Sequence, residues 1–303
     1  VTAALSIVAA VGFFAEQKQR RKANLEASEK EKINDFTQDM LSSADPEQGN
    51  PRDLLVRDVL QKAAHKIDRE TNLEPLVEAG IRSTIGSTFR SLGIYPEAKP
   101  QLEKALAIRK AELPADHPDV ATALFNLGAW HHVNGDKGDK ERADKLYGEA
   151  LEIRRSVLPP QHPALAYSLT FLGALRADDG KITEAESLYR DALAIRRAAL
   201  GNNHIDTAAS LNNLATVLMY QQKHKEAEQL LREALQTARS IRGEDDAYVA
   251  RGMSNLGTCL MQEGRFKEGF ELLEASLVIK RKTQGPDHPY VAKTLQRLAS
   301  YKH

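Results

Sequence analysis

One phrase of this chain returns at a near-fixed interval, and that interval decides most of what the polypeptide can fold into. In the stretch from Leu165 to Asp206, Ala166, Leu169, Leu172 and Gly173 stand at helical spacing and the pattern breaks at Asp178, Asp179 and Gly180. Ala185, Leu188, Tyr189, Ala192, Leu193 and Ile195 then run down one face of a second helix. The small residue of the first helix recurs as Gly86, Gly128, Gly173, Ala215, Gly257 and Ala299, by subtraction at steps of 42, 45, 42, 42 and 42 residues. That of the second helix recurs as Ala98, Ala143, Ala185, Ala227 and Gly269 with the same three-residue excess. Both series place one insertion in the turn between Gly128 and Ala143. A fixed period with one helical hairpin per repeat predicts an all-α solenoid over residues 76–303, about five hairpins and a capping helix.

Small residues recur because two helices approach closely only where a side chain is missing. Ile85, Leu127, Leu172, Leu214, Leu256 and Leu298 sit one position earlier and fill the space beside each gap. The second helices end on a shared phrase: Ala105 to Arg109, Ala150 to Arg154, Ala192 to Arg196, and Ser276 to Lys280. This pattern resembles the tetratricopeptide repeat, in the longer variety of about 42 residues found in kinesin light chains. The resemblance runs from Leu76 to His303. It implies an α-solenoid of tetratricopeptide hairpins that binds proteins or peptides on its inner surface.

Charge narrows the partners. Lys and Arg total 42 and Asp and Glu total 42, so there is no global field to draw in nucleic acid or an anionic membrane. A repeat longer than the base-reading helical kinds also speaks against RNA. The chain has no GxxxxGK phosphate loop, GxSxG elbow, HExxH or CxxC pair, and no kinase HRD or DFG element. The GDKGDK insertion is a surface turn and not a nucleotide loop, because no strand precedes it. We therefore expect a non-catalytic segment with no cofactor. Cys259, alone in the apolar run from Leu256 to Met261, is read as a small core residue.

Histidine invites a metal reading. Hairpins open on Asp116-His117-Pro118, Gln161-His162-Pro163, Asn203-His204-Ile205 and Asp287-His288-Pro289, with Asp245-Asp246-Ala247 at the fourth of these places. One His per repeat spreads the side chains along the solenoid, and His131 and His132 are adjacent on a helix and point different ways. No metal site is expected. A polar residue ahead of Pro instead suits a helix start, since it satisfies a free backbone N–H while Pro presets φ.

The N-terminal quarter is different. Val1 to Phe14 carries no charge and is followed by Glu16, Lys18, Arg20, Arg21 and Lys22. Residues 1–14 read as the end of a transmembrane helix that begins upstream; a signal-peptide core and a buried soluble helix are the rival readings. The basic cluster favours cytoplasmic repeats, with the side of the membrane left open. Residues 15–44 read as a charged juxtamembrane helix whose stripe of Leu25, Ile33, Phe36 and Met40 either pairs with a second copy or stands as a solvated stalk. Residues 45–75 hold a linker and an N-terminal capping helix. Asp53 is its expected cap, with Leu55, Val59, Leu60, Ala63, Ala64 and Ile67 on one face, and Thr71 and Asn72 cap the first hairpin ahead of Pro75. At the other end, a lone helix from Tyr290 to Tyr301 is expected to turn Leu295 and Leu298 inward. This order of parts, with the phrases from Phe36 to Asp68, also resembles the C-terminal half of bacterial membrane-anchored serine/threonine protein kinases that carry such repeats. That resemblance implies a kinase domain upstream and makes the array its sensor or regulatory arm.

Ligand contact is expected on the first helices. In the fourth hairpin Ala208, Leu211, Leu214, Ala215 and Leu218 form the buried face, and Ala209, Asn212, Asn213, Thr216 and Tyr220 the opposite one. By the resemblance, the second stripe lines the concave groove. Asn213 recurs as Asn126 and Asn255, an amide able to donate to and accept from an extended peptide backbone together. Thr84, Phe171 and Arg297 take that place elsewhere. Phe125, Trp130, Tyr167 and Tyr220 are expected to add aromatic surface, with a core position for Trp130 as the alternative. The basic pairs Arg109-Lys110, Arg154-Arg155, Arg196-Arg197 and Lys280-Arg281 are read as complements to the helix dipole, with capture of an acidic peptide as the other reading.

Overall fold

The computed structural model describes residues 27–36, 56–69, 73–136, 138–286 and 289–300. The expectations for residues 1–14 and 45–55, and the caps at Asp53, Thr71 and Asn72, lie outside them. Among the described residues no helix is long and apolar enough to cross a membrane. All regular structure among them is helical.

The chain forms two units, Val1–Leu146 and Tyr147–His303. In the first, α1 (27–36) and α2 (Val56–Arg69) precede the hairpin of α3 (Pro75–Ser91) and α4 (Tyr95–Glu112), followed by α5 (Pro118–Asn134). Helix α6 (Asp139–Val157) starts within the first unit and ends within the second. The second then holds three hairpins. These are α7 (Pro163–Asp178) with α8 (Ile182–Leu200), α9 (Ile205–Tyr220) with α10 (His224–Arg242), and α11 (Ala247–Gln262) with α12 (Phe266–Gln284). Helix α13 (Pro289–Ser300) closes the series.

Four first helices, α5, α7, α9 and α11, start as the sequence predicts. The ring Nδ1 of His117, His162 and His204 accepts the backbone N–H of Asp119, Ala164 and Asp206 at 3.2, 3.2 and 3.1 Å. Asp246 Oδ1 accepts that of Tyr248 at 2.7 Å. The recurring His is therefore a helix cap, which satisfies one of the free N–H groups of the first turn. Within the hairpins, the small residues stand where expected for close contact. A Cβ built on Gly257 would lie 2.8 Å from the carbonyl oxygen of Gly269, and one on Gly86 would lie 2.7 Å from Leu102 Cγ. The turns between paired helices use a left-handed residue at Gly93, Gly138, Gly180, Gln222 and Gly264, with φ of 76, 83, 74, 61 and 82°. Gln222 alone of these carries a Cβ.

The core of the second unit runs from Ala185 to Ile279 through Leu211, Leu214, Leu218, Leu231 and Leu256, all buried. Cys259 belongs to it, with burial pushing its thiol up to about 11. Helix α2 buries Val59, Leu60, Ala63, Ala64 and Ile67 as predicted. Buried Arg82 of α3 fastens α2 through Asp68 at 2.8 Å and reaches Gln101 of α4 at 2.8 Å. In α1, Ile33 packs over Gly80, and Lys66 lies 5.6 Å from the ring of Phe36. These two members of the apolar stripe thus have partners within their own unit.

One expectation is corrected. In α13 the inward residues are Val291, Thr294 and Leu298, which follow the 3–4 spacing of one stripe, whereas Leu295 is 41% exposed. The insertion turn lies at the surface as expected, with Gly135, Asp136 and Lys140 exposed, and it is anchored at one point. His131 and Asp139 are both buried, with Nδ1 to Oδ1 at 2.6 Å, and Asp139 Oδ2 accepts from Asn134 Nδ2 at 2.6 Å. Burial opposes ionisation of Asp139, but the donors from Asn134 and His131 hold its carboxyl below the usual range.

Candidate peptide-binding groove

The first helices of the second unit carry two stripes. One is the buried stripe above. The other holds Tyr167 and Phe171 on α7, Asn213, Thr216 and Tyr220 on α9, Arg251 and Asn255 on α11, and Lys293 and Arg297 on α13. Helical spacing sets these residues three or four apart on each helix, and the 42-residue period sets Phe171, Asn213, Asn255 and Arg297 in one row, with Arg251 and Lys293 in the next.

The predicted contact residues fall into different environments. Tyr167 and Tyr220 are exposed, at 43% and 73%. Asn213 and Asn255 are half-buried. Asn212 is buried and its Nδ2 donates to the carbonyl of Ala208 at 3.1 Å, one turn back. Its Oδ1 accepts from Asn255 Nδ2 at 3.3 Å, and Asn255 Oδ1 accepts from Arg297 Nη1 at 3.3 Å. Arg297 also donates to Ser254 Oγ at 3.0 Å. A guanidinium only donates, so Arg297 fixes which end of the Asn255 amide faces it, and Asn212 takes the other end. This line of bonds joins α9, α11 and α13. Asn126 lies apart, in the first unit, half-buried beside a hollow of about 440 Å³ lined by Ser83, Thr84, Ser87, Thr88 and Ser91.

Phe125 and Trp130 are not groove surface. Both are buried, and Trp130 Nε1 donates to the carbonyl of Tyr95 at 2.8 Å. An indole gives up water cheaply once its one donor is satisfied, and that bond settles the core alternative for Trp130.

The basic pairs are also read differently in three dimensions. The first member of each pair is buried: Arg109, Arg154, Arg196 and Lys280. Arg154 Nη1 donates to Ser168 Oγ and Arg196 Nη1 to Ser210 Oγ, each at 2.5 Å, and Lys280 Nζ to Thr294 Oγ1 at 2.8 Å. Each bond ties a second helix to the first helix of the next hairpin. Arg109 meets Ala123 at the equivalent place and donates instead to the Asp119 carbonyl at 3.4 Å. Arg154, Arg196 and Lys280 therefore do more than complement the helix dipole, since each also holds a hydroxyl of the next hairpin. The signal was in the sequence: a hydroxyl stands 14 residues after Arg154, Arg196 and Lys280, and where Ala238 replaces the cation the matching place is Gly252.

Between α11, α12 and α13 the wall opens into a cavity of about 370 Å³. Arg251, Lys280, Lys293 and Arg297 line it together with Tyr248, Tyr290, Ser254 and Asn255, and no carboxylate is among the described lining residues. Arg251 lies over the Tyr248 ring, 4.7 Å from its centre. Burial, then the charges of Arg297, Lys293 and Arg251, pull the Lys280 ammonium down to about 8. Sequence reasoning named Asn255 and Arg297 at this place but missed the cluster, because Arg251 and Lys293 stand far apart in the chain until the 42-residue period puts them on neighbouring helices. Among the described residues no group of His, Cys, Asp and Glu side chains could hold a metal ion.

Known proteins agree with this geometry. A tetratricopeptide-repeat family model matches residues 78–156, 133–198, 164–240, 206–263 and 248–303. No curated protein matches the sequence closely enough to count as a relative. Among solved structures, a chain from Podosopora anserina assigned as a kinesin light chain with nearly identical tetratricopeptide-like repeats is 23% identical. The match covers 70% of this chain and 98% of that one, with a TM-score of 0.57. BtubC (BKLC) of P. vanneervenii is 18% identical over 76% of this chain and 91% of its own, with a TM-score of 0.61. A signal-transduction ATPase of Pyrococcus horikoshii with a tetratricopeptide-repeat sensor is 17% identical over 80% of this chain and 36% of its own, with a TM-score of 0.58. These likenesses speak for the fold, that of kinesin-light-chain-like repeats. With a family model matched from residue 78 to residue 303 and helical hairpins at the period it requires, the chain belongs to the tetratricopeptide-repeat family.

Proposed function

We propose that this chain is a non-catalytic scaffold that holds an extended segment of a partner protein against the first-helix wall of its second unit. Asn213, Asn255, Tyr167 and Tyr220 make the contacts, and Asn212 acts behind them by orienting the Asn255 amide. Asn126 and its hydroxyl neighbours offer a separate polar patch in the first unit. The observation that carries this reading is the bond line from Arg297 through Asn255 to Asn212. It holds an amide in one orientation at a half-exposed position of the first-helix wall. Preorganised donors and acceptors of this kind lose little freedom when a peptide backbone docks.

The test is partner recovery by the full chain after crosslinking, comparing the parent with the combined Asn126→Ala, Asn213→Ala and Asn255→Ala variant. Recovery is expected to fall about tenfold, the cost of one or two hydrogen bonds, with the helical signal unchanged. Equal recovery would remove these side chains from the contact surface. Tethering through the uncharged residues 1–14 remains part of the proposal, as does self-association through residues 15–44. The kinase-associated reading is supported by the phrases from Phe36 to Asp68 and rests on whether a Gly-rich loop, HRD and DFG stand upstream of Val1.

A further inference from the structure

The four cations of the α11–α13 cavity stand out against a chain whose charges balance at 42 to 42. They come from three helices. Arg251 enters from α11, Lys280 from the end of α12, and Lys293 and Arg297 from α13. Arg251 and Lys293 are exposed at the rim, whereas Lys280 is 5% exposed at the back. Burying one cation and gathering three more around it are both unfavourable, and burial first, then the charges of Arg297, Lys293 and Arg251, depress the Lys280 ammonium. Elsewhere on these repeats, surface cations are met by carboxylates, such as Arg190 by Glu226, Arg197 by Glu233 and Arg265 by Glu228, each at 2.7 Å. Here the described lining offers hydroxyls and amides only. The same lining holds a buried acceptor, Gln284 Oε1, without a hydrogen-bond partner among the described residues.

A ligand that fits must bring concentrated negative charge, several acceptor oxygens and a donor beside them. A peptide carboxylate brings a single charge and two oxygens. A phosphate monoester on a peptide brings nearly two charges and three oxygens, and the backbone N–H of the modified residue supplies the donor. Guanidinium groups pair with phosphate oxygens in a two-pronged geometry, and Arg251 and Arg297 supply two of them. We propose that this cavity is a binding site for a phosphorylated side chain of a docked peptide, with Arg251, Lys280, Lys293 and Arg297 on the phosphate and Gln284 on the adjoining backbone N–H. The proposal rests on the groove reading above and names the chemistry of its occupant.

The experiment uses the full chain and three degenerate nonapeptide libraries that differ only at the central residue, phosphoserine, serine or glutamate. The phosphoserine library is expected to bind about tenfold or more tightly than either other library, and inorganic phosphate to compete with it. Arg251→Gln with Lys293→Gln removes two exposed rim cations and is expected to abolish that preference while the helical signal stays intact. Arg232→Gln, on α10 outside the cavity lining, leaves it unchanged. Binding is further expected to weaken between pH 7 and 9, as Lys280 loses its proton beside Arg251, Lys293 and Arg297 while the phosphate stays fully charged. Equal binding of the serine and phosphoserine libraries would overturn the proposal. So would equal binding of the glutamate library, which would make the site one for acidic peptides, or a preference that survives the double substitution. The groove reading fails separately, when the three Asn→Ala substitutions leave partner recovery unchanged.

Discussion

Gln222 shows how one residue can depart from a repeated rule and what that costs. Its equivalents Gly93, Gly138, Gly180 and Gly264 all take positive φ, and Gln222 takes φ 61° with a Cβ in place. A left-handed residue with a side chain costs about 1–2 kcal/mol, against which the extra freedom of an unfolded glycine weighs about 0.5–1 kcal/mol. Gln222→Gly is therefore expected to stabilise the second unit by about 0.5–1 kcal/mol in denaturant titration, and a loss of stability would show that the Gln222 side chain holds the turn. The helix caps follow a rule of the same size. His117, His162, His204 and Asp246 differ in chemistry, but each places one acceptor over the N–H two residues ahead. That was legible in the sequence, since a cap needs only an acceptor at the right place. The burial of Phe125 and Asn212 was not, and that of Trp130 was only one of two readings, because on a helix packed against neighbours on several sides the stripe opposite the main core is only partly open.

At the scale of helices, the hairpin and its small-residue contact were legible because close approach restricts side-chain size at Gly86 and Gly257 whatever surrounds them. The ties between hairpins were harder to read, since a cation late in a helix has a sufficient local explanation in the dipole. Only the matching hydroxyl 14 residues on distinguishes Arg154, Arg196 and Lys280 from surface charges. Lys280 ties α12 to α13, and this tie has a pH signature. Its ammonium sits at about 8 in the folded chain against 10.5 ordinarily, so between those values the unfolded chain binds more protons. Stability from this group therefore rises as pH climbs from 8 to 10.5 and is lost again as pH falls through 8, by ~3 kcal/mol over the whole window. Lys280→Met is expected to be more stable than the parent at pH 7, with the gap closing by pH 10.5. Parallel stability curves for the two proteins would show that Lys280 keeps its ordinary ionisation.

For the whole molecule, the sequence period was enough to give the family and the fold class, because a regular repeat leaves few other ways to bury its apolar faces. It was not enough to give the groove chemistry. Global neutrality hides a local excess of positive charge, and only the alignment of successive first helices brings Arg251, Lys293 and Arg297 to one cavity. The central claim is that a partner lies along the first helices and not along the second. It is tested most directly by placing a photo-reactive phenylalanine analogue at Tyr167 or Tyr220, and at Val278 of α12, which is 67% exposed. The account predicts covalent partner adducts from the two tyrosine positions and none from Val278. Adducts from Val278 with none from Tyr167 or Tyr220 would contradict it.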